Sequence, residues 1–354
     1  MTKRDDIVEV SGVRLRLGPH LSKEIRGQIS SGRYEVAEIR ALRAKLAPGD
    51  VVMELGAGIG FLSTYCSKIA GSRNIFTFEA NLELEPTIRE TFALNDVSPS
   101  LELCVLTHEP GVQVFYVSES FWTSSVLQRS GMTREIKVPA KSLSAEIARI
   151  QPSLLMIDIE GGEHNLFSGI DLATVRTIVI ELHPRVIGIE KVHETVTDLY
   201  AKGFRADREA SSGNVLCLER GYSKGKQSVM NLHEAIDNLR WSQAKRATEE
   251  VCQMVPQGSA FILIDDYYLE AEGFAGRRRF FFLDRNGQNW GPPADDRSAI
   301  EELERLRLNG ASFIVLAWPL FWWQEQYSGF FGYLEGKFRC VLRSERVVIF
   351  DLRG

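Results

Sequence analysis

The sequence predicts an α/β protein in which a doubly wound, mainly parallel sheet with an antiparallel last strand is followed by a second, smaller α/β domain. Three observations lead there. Short apolar runs alternate with longer amphipathic stretches from about residue 35 to 220, the pattern of a parallel sheet with helices on both faces. An apolar strand runs into Gly56-x-Gly58-x-Gly60 and then a helix. A polar stretch, Ser223–Ser228, separates this region from a remainder of different character.

In chain order, the strands fall at Val51–Leu55, Ile75–Glu79, Leu101–Leu106, Leu154–Ile159, Thr177–Leu182, Gly203–Asp207 and Asn214–Leu218. Helical spacing of apolar residues marks Phe61–Ala70, Glu85–Leu94, Leu143–Ile150 and Lys191–Lys202. Only the short turn Arg208–Gly213 joins the last two strands. A parallel crossover needs a dozen or more residues, so that pair is antiparallel. Val112–Val117 and Glu135–Val138 read as an inserted β-ribbon before the fourth strand. The first domain thus covers residues 1–222 and a linker with one long helix, Val229–Gln253, lies within 223–256. The second domain, 257–354, carries strands at Ala260–Ile264, Ser312–Ala317, Phe338–Leu342 and Val347–Asp351 and a helix at Ser298–Leu308.

A length of 354 residues suits two domains rather than one core. The net charge of −5 carries no surplus of Lys and Arg, so no nucleic-acid partner is expected. Five scattered cysteines, without a CxxC or Cys/His cluster, fit free thiols in a reducing compartment and offer no zinc site. The longest apolar run, Phe313–Trp323, is broken by Pro319 and falls far short of the ~20 residues that span a bilayer. With a charged start, MTKRDDIVEV, these features lead us to expect a cytoplasmic protein without an integral membrane segment.

The segment VVMELGAGIGFLS, residues 51–63, places Glu54 just before a glycine turn made of Gly56, Ala57, Gly58 and Gly60. Glycine lets a backbone turn tightly against a ligand, and the following helix offers free N–H groups to it. A dinucleotide site favours G-x-G-x-x-G/A, but the sixth position here is Phe61. An acid before the first glycine suits a ligand bearing an ammonium group, which favours S-adenosyl-L-methionine. Glu79, about 20 residues on at the end of the second strand, is placed to accept ribose hydroxyls, with Asn81 beside it. In LLMIDIEGGEHNLFSGI, residues 154–170, Asp158 and Glu160 end the fourth strand and Gly161–Gly162 turn into a helix whose first turn holds Glu163. Acids at such a strand end are costly unless paired or facing a solvated cleft, so Asp158 and Glu160 are candidates for the reacting centre.

With these pieces in place the chain resembles the FkbM family of methyltransferases. The matching segments are GRYE (Gly32–Glu35), PGDVVMELGAGIGF (Pro48–Phe61), FEAN (Phe78–Asn81), LND (Leu94–Asp96), IDIEGGE (Ile157–Glu163) and VIELH (Val179–His183), within residues 8–220. The resemblance implies a Rossmann-like class I methyltransferase fold and S-adenosylmethionine-dependent transfer to hydroxyls of sugars or natural products. It places Glu54, Gly56, Gly58 and Glu79 against the cofactor with Tyr34 and Glu35 nearby. Met156 and Ser144 stand where the family usually has Lys and Asp.

For transfer to a sugar hydroxyl a general base is expected to add ~10²–10⁴-fold. Glu160 or His183 is the expected base, Asp158 orients cofactor or substrate, and Glu181 braces the site; no metal is required. The acceptor is thus a small molecule or glycan. Two other readings stay open: a cofactor-binding scaffold without catalysis, suggested by Met156 and Ser144, and transfer to a peptide nitrogen or carboxylate. The aromatics of the second domain, among them Trp290, Trp318, Trp322, Trp323 and Tyr327, read as core or as an interface between copies of the chain. Asp265, Asp266, Asp295 and Asp296 could bind sugar hydroxyls, and Arg277–Arg279 a phosphate.

Overall fold

A computed structural model describes residues 7–18, 21–118, 132–221, 228–265, 269, 272–282, 284–285, 288–289 and 292–353. Trp290, Asp266 and the polar stretch 223–227 lie outside the described residues. The chain divides into two compact units, Met1–Leu239 and Arg240–Gly354.

In the first unit a hairpin of β1 (Ile7–Val10) and β2 (Val13–Arg16) precedes α1 (Lys23–Ser30) and α2 (Val36–Lys45). There follow β3 (Val52–Leu55), α3 (Phe61–Ala70), β4 (Ile75–Phe78), α4 (Glu85–Leu94) and β5 (Ser100–Glu102). Next come β6 (Val105–Thr107), β7 (Gly111–Ser118), β8 (Met132–Ser142), α5 (Leu143–Ile150), β9 (Leu154–Ile157) and β10 (Thr177–Glu181). Helices α6 (Pro184–Ile187) and α7 (Ile189–Ala201), strands β11 (Phe204–Ala206) and β12 (Val215–Arg220), and α8 (Leu232–Asp237) complete it. The main sheet has the order β11-β12-β10-β9-β3-β4-β5. Neighbours pair in parallel except β12, which runs antiparallel to both β10 and β11. This is the Rossmann-like class I methyltransferase sheet, with the reversed strand where the short turn after β11 requires it. Strands β3 and β9 are buried along their whole length, and two apolar clusters fill the two faces of the sheet.

Several expected elements are divided or altered. The apolar run Leu101–Leu106 is not one strand. A bend at Leu103–Cys104 takes the chain out of the main sheet, and β6 pairs in parallel with β8 (Val105↔Ala140) in a separate three-stranded sheet, β6-β8-β7. The β7–β8 ribbon is antiparallel, as its alternation suggests. The helix expected after Gly162 is a series of turns instead. Gly161 (φ 104), Asn165 (φ 61) and Gly169 (φ 68) adopt left-handed backbone that cannot continue an α-helix. The single helix expected over Val229–Gln253 is two: α8, opened by an Asn231/Glu234 capping box, and α9 (Arg240–Met254). Among the described residues no helix is long and apolar enough to cross a membrane.

The second unit contains α9, β13 (Ala260–Ile264), β14 (Arg278–Phe281), the two-residue strands β15 (Asp284–Arg285) and β16 (Gln288–Asn289), and α10 (Asp296–Leu308). It ends with β17 (Ala311–Ala317), α11 (Trp323–Gln326), α12 (Ser328–Lys337), β18 (Arg339–Arg343) and β19 (Val347–Asp351). Its five-stranded sheet runs β14-β13-β17-β19-β18. Trp323, Tyr327, Phe330 and Phe331 are buried in one cluster with α10, whereas Trp322 is exposed. The three arginines are bound to backbone carbonyls: Arg277 to Cys252 and Val255, Arg278 to Asn309 and Arg279 to Leu269. Asp295 caps α10 by accepting from Ser298 N–H, Asp296 accepts from Phe330 N–H, and Asp265 from Leu269 N–H.

Candidate functional site

Three parallel strands, β3, β4 and β9, end side by side, and short loops carry their hydrogen bonding one step further. Gly56 N–H donates to the Phe78 carbonyl (2.9 Å) and Asp158 N–H to the Leu55 carbonyl (2.9 Å). This draws the end of β9 against the glycine turn. A Cβ at Gly56 would lie 1.8 Å from the Asp158 carbonyl oxygen, and its φ of +89° excludes other residues on conformational grounds as well. Gly60, with φ +76°, serves packing instead: a Cβ there would meet Phe92 at 3.0 Å and Ile88 at 3.1 Å, where α3 crosses α4.

Two acids flank this turn. Glu54 is 1% exposed; its Oε2 accepts from Thr77 Oγ1, and its Oε1 has no partner. Met156, its neighbour in register on β9, is apolar and offers none. Burial pushes Glu54 up to about 7, although the Thr77 bond opposes the rise. Glu79 binds the turn directly. Its Oε2 accepts from Ala57 N–H and Gly58 N–H, each at 3.0 Å, and its Oε1 from Asn81 N–H at 2.7 Å. Burial raises this carboxyl to about 7 too, against those backbone bonds.

A cavity of about 510 Å³ opens over these residues, a size ordinary for a small-ligand pocket. Tyr34, Glu35, Glu54, Gly56, Ala57, Gly58, Glu79, Asp158 and Glu160 all line it, together with Glu181. Gly60, Asn81 and His183 are not among its lining residues. Asn81 acts through its N–H on Glu79 and by capping the short turn at Glu83. The opposite wall comes from the small sheet, with Val105, Thr107, Gln113 and Phe115, and from His108 and His164. Sequence reasoning passed over that wall, whose available signal was the two histidines, His108 and His164. It also passed over Glu38, buried on α2 three residues after Glu35; the i, i+3 spacing of two acids was the available signal.

Behind the cavity floor lies a group of carboxylates around one imidazole. His183 Nδ1 is 2.8 Å from Glu163 Oε1; its Nε2 is 3.5 Å from Asp158, 3.6 Å from Glu160 and 3.9 Å from Glu181. Burial alone would lower the His183 pKa, but the bonds to Glu160 and Glu163 and the charges of Asp158 and Glu163 push it up to about 12. The surrounding acids thus favour the protonated form of the ring. Burial, and then the Glu181 charge, drives Asp158 well above the usual carboxylate range. Glu181 rises to about 7 through burial and the charge of Glu38. Ligand atoms of Asp158, Glu160 and His183 fall within 4.8 Å of one another, a spacing at which the three could hold a metal ion.

Residues 54–206 match the model of the methyltransferase FkbM domain. No curated protein matches the chain. Among solved structures, it is similar to precorrin-6y C5,15-methyltransferase from Geobacter metallireducens GS-15 (15% identity, 52% of this chain, 85% of that one, TM-score 0.31). It is also similar to a ribosomal protein L11 methylase from Lactobacillus delbrueckii subsp. bulgaricus (15%, 52%, 77%, TM-score 0.31). A third is the magnesium protoporphyrin IX methyltransferase from Synechocystis PCC 6803 with bound SAM (12%, 56%, 83%, TM-score 0.32). The strand order and the family match, not these overlaps, define the domain.

Proposed function

We propose that this chain, whose residues 54–206 match the methyltransferase FkbM domain, uses S-adenosylmethionine to methylate a hydroxyl of a sugar, polysaccharide or glycosylated metabolite. The observation that carries this reading is the composition of the cavity. Among its described lining residues there are several carboxylates and no Lys or Arg. Such a wall offers hydrogen-bond partners to a neutral polyol and no Lys or Arg to a phosphate-bearing acceptor.

The residues at the glycine turn fit the cofactor. Glu54 presents a buried carboxylate to its ammonium group, Gly56 and Gly58 put no side chain into the space, and Glu79, with Ala57, faces the same cavity. Tyr34, Glu35 and Asp158 close the pocket around it, while Gly60 and Asn81 support the turn. Bound there, the cofactor supplies an activated methyl group on a sulfonium. The chain's own work is to orient the acceptor, to exclude water and to accept a proton from the hydroxyl. Glu160 takes that proton: it lines the cavity and ends the β9 turn. His183 stays charged, holding Asp158 and Glu160 in place. Orientation contributes several kcal/mol of barrier lowering and a positioned base a further ~10²–10⁴-fold. The free cysteines suit an enzyme of a reducing, cytoplasmic compartment.

The test is transfer of labelled methyl from S-adenosylmethionine into extracts of the producing cells, followed by identification of the product. A labelled peptide or nucleic acid in place of a glycan or glycoside would overturn the acceptor class. Tight cofactor binding with no label transferred would instead favour a scaffold, the reading to which Met156 and Ser144 point.

A further inference from the structure

Glu163 is 0% exposed, lines no part of the cavity, and is three residues from Glu160. One oxygen, Oε1, makes two contacts. It accepts from Gly161 N–H at 2.9 Å and pairs with His183 Nδ1 at 2.8 Å. The first contact falls on a strained turn: Glu160 has φ +52° and Gly161 φ +104°. A non-glycine residue in left-handed backbone is strained and persists only where its surroundings impose it. The bond from Gly161 N–H to a buried carboxylate is such an imposition. The second contact sets the imidazole. With Nδ1 committed to Glu163, Nε2 stands toward Asp158, Glu160 and Glu181.

We propose that Glu163 is the positioning residue of this site, holding through a single carboxylate oxygen both the turn that presents Glu160 to the cavity and the ring of His183. The inference rests on the reading of Glu160 as the base. It adds that the reacting carboxylate owes its place to a residue that touches neither cofactor nor acceptor. The charged groups facing His183 are Glu163 from the turn, Asp158 and Glu160 from the end of β9, Glu181 from the end of β10, and Glu38 from α2. Glu163 is the nearest of the four that pair with the ring and the only one of them wholly buried; its bond and its charge, with the Glu160 bond and the Asp158 charge, keep the proton on the ring.

Two substitutions separate the roles. Glu163→Gln keeps an acceptor oxygen for Gly161 N–H and the ring but removes the charge; Glu163→Ala removes both. Three readouts on the full chain are decisive: the titration of the His183 ring by NMR, assigned by loss of its signal in His183→Gln; S-adenosylhomocysteine affinity by calorimetry; and the rate of label transfer from S-adenosylmethionine into cell extract. In Glu163→Gln the ring is expected to titrate at least one pH unit lower than in the wild type, with S-adenosylhomocysteine affinity within threefold. Glu163→Ala is expected to lose about 100-fold in label transfer, and Glu163→Gln to recover at least tenfold of it. An unmoved ring titration in Glu163→Gln, or label transfer in Glu163→Ala within threefold of wild type, overturns the proposal. Should Glu163→Ala not fold, Glu163→Gln decides alone. A wild type that takes up no S-adenosylhomocysteine sinks the methyltransferase reading by itself, while the ring titration still decides for or against Glu163.

Discussion

Replacing Gly56 by alanine is expected to damage stability and site together, and the structure says how much of each. The backbone φ of +89° costs an L-residue about 1–2 kcal/mol before any contact is considered. The new Cβ also falls 1.8 Å from the Asp158 carbonyl oxygen, and a tolerable contact begins near 3.0 Å, so the end of β9 must retreat by about 1.2 Å. Overpacking of that kind costs a further ~1–3 kcal/mol. A total of ~2–5 kcal/mol lowers the melting temperature by at least about 4 °C for a unit of this size. The same retreat displaces Asp158, and a shift of ~1 Å in a reacting geometry costs on the order of 100-fold in turnover. Gly49 supplies the control: its φ is +84°, but no atom lies within 4 Å of its would-be Cβ. Gly49→Ala should therefore show the conformational cost alone. Thermal melting of both variants, with calorimetry of S-adenosylhomocysteine binding, makes the comparison. Equal melting temperatures for the two, with wild-type affinity in Gly56→Ala, would refute the close approach of β9 to the glycine turn.

Glu54→Gln removes a buried, partly unpaired carboxylate, so the ligand-free protein should melt no lower than wild type. Its S-adenosylhomocysteine affinity should fall ~10–100-fold as a charge-assisted bond is lost; calorimetry and melting curves read both. Burial places Glu54 and Glu79 near 7 from a usual 4.5, so the folded chain keeps protons that the unfolded chain has already lost between those values. Stability without cofactor should thus decline as pH rises from about 4.5 to 7, as read from melting temperatures across that range. His183 does not mask this, since the stability from its raised pKa is fully present below about 6.5 and its loss at higher pH runs in the same direction. If Glu54 must ionise to bind, S-adenosylmethionine affinity should rise about tenfold from pH 6 to 8. Lys45, 9% exposed, bonds Asp207 at 2.7 Å and Glu219 at 2.8 Å. Lys45→Met should cost ~3–5 kcal/mol in urea denaturation by taking this cation from buried Asp207 and leaving Glu219 with the longer Arg176 contact at 3.6 Å.

Much of the doubly wound sheet was legible because its strands are short apolar runs bounded by glycine and helix signals. Phe61–Ala70, Glu85–Leu94 and Leu143–Ile150 show helical spacing, and their bounds agree with the structure. The break at Leu103–Cys104 was not legible: both halves are apolar, and only the pairing of Val105 with Ala140 pulls them apart. The turns after Glu160 were misread for a related reason. Local composition favours a helix there, and the left-handed Asn165 that stops it declares itself only in the backbone. At the site, the glycine turn and the acids at strand ends are visible as residue types at set places. The raised pKa of His183 is not, since it depends on Glu160, Glu163 and Asp158, brought beside it only by folding.

The third strand's departure from the main sheet has a lasting effect on what this enzyme can become. One wall of the cavity hangs on β6, β7 and β8, which hydrogen-bond among themselves and not to the strands that carry the glycine turn. Changes at Thr107, Gln113 or Phe115 can therefore reshape the entrance for a new molecule while the methyl-donor half keeps its alignment. Acceptor choice is free to drift on a panel that is separately framed.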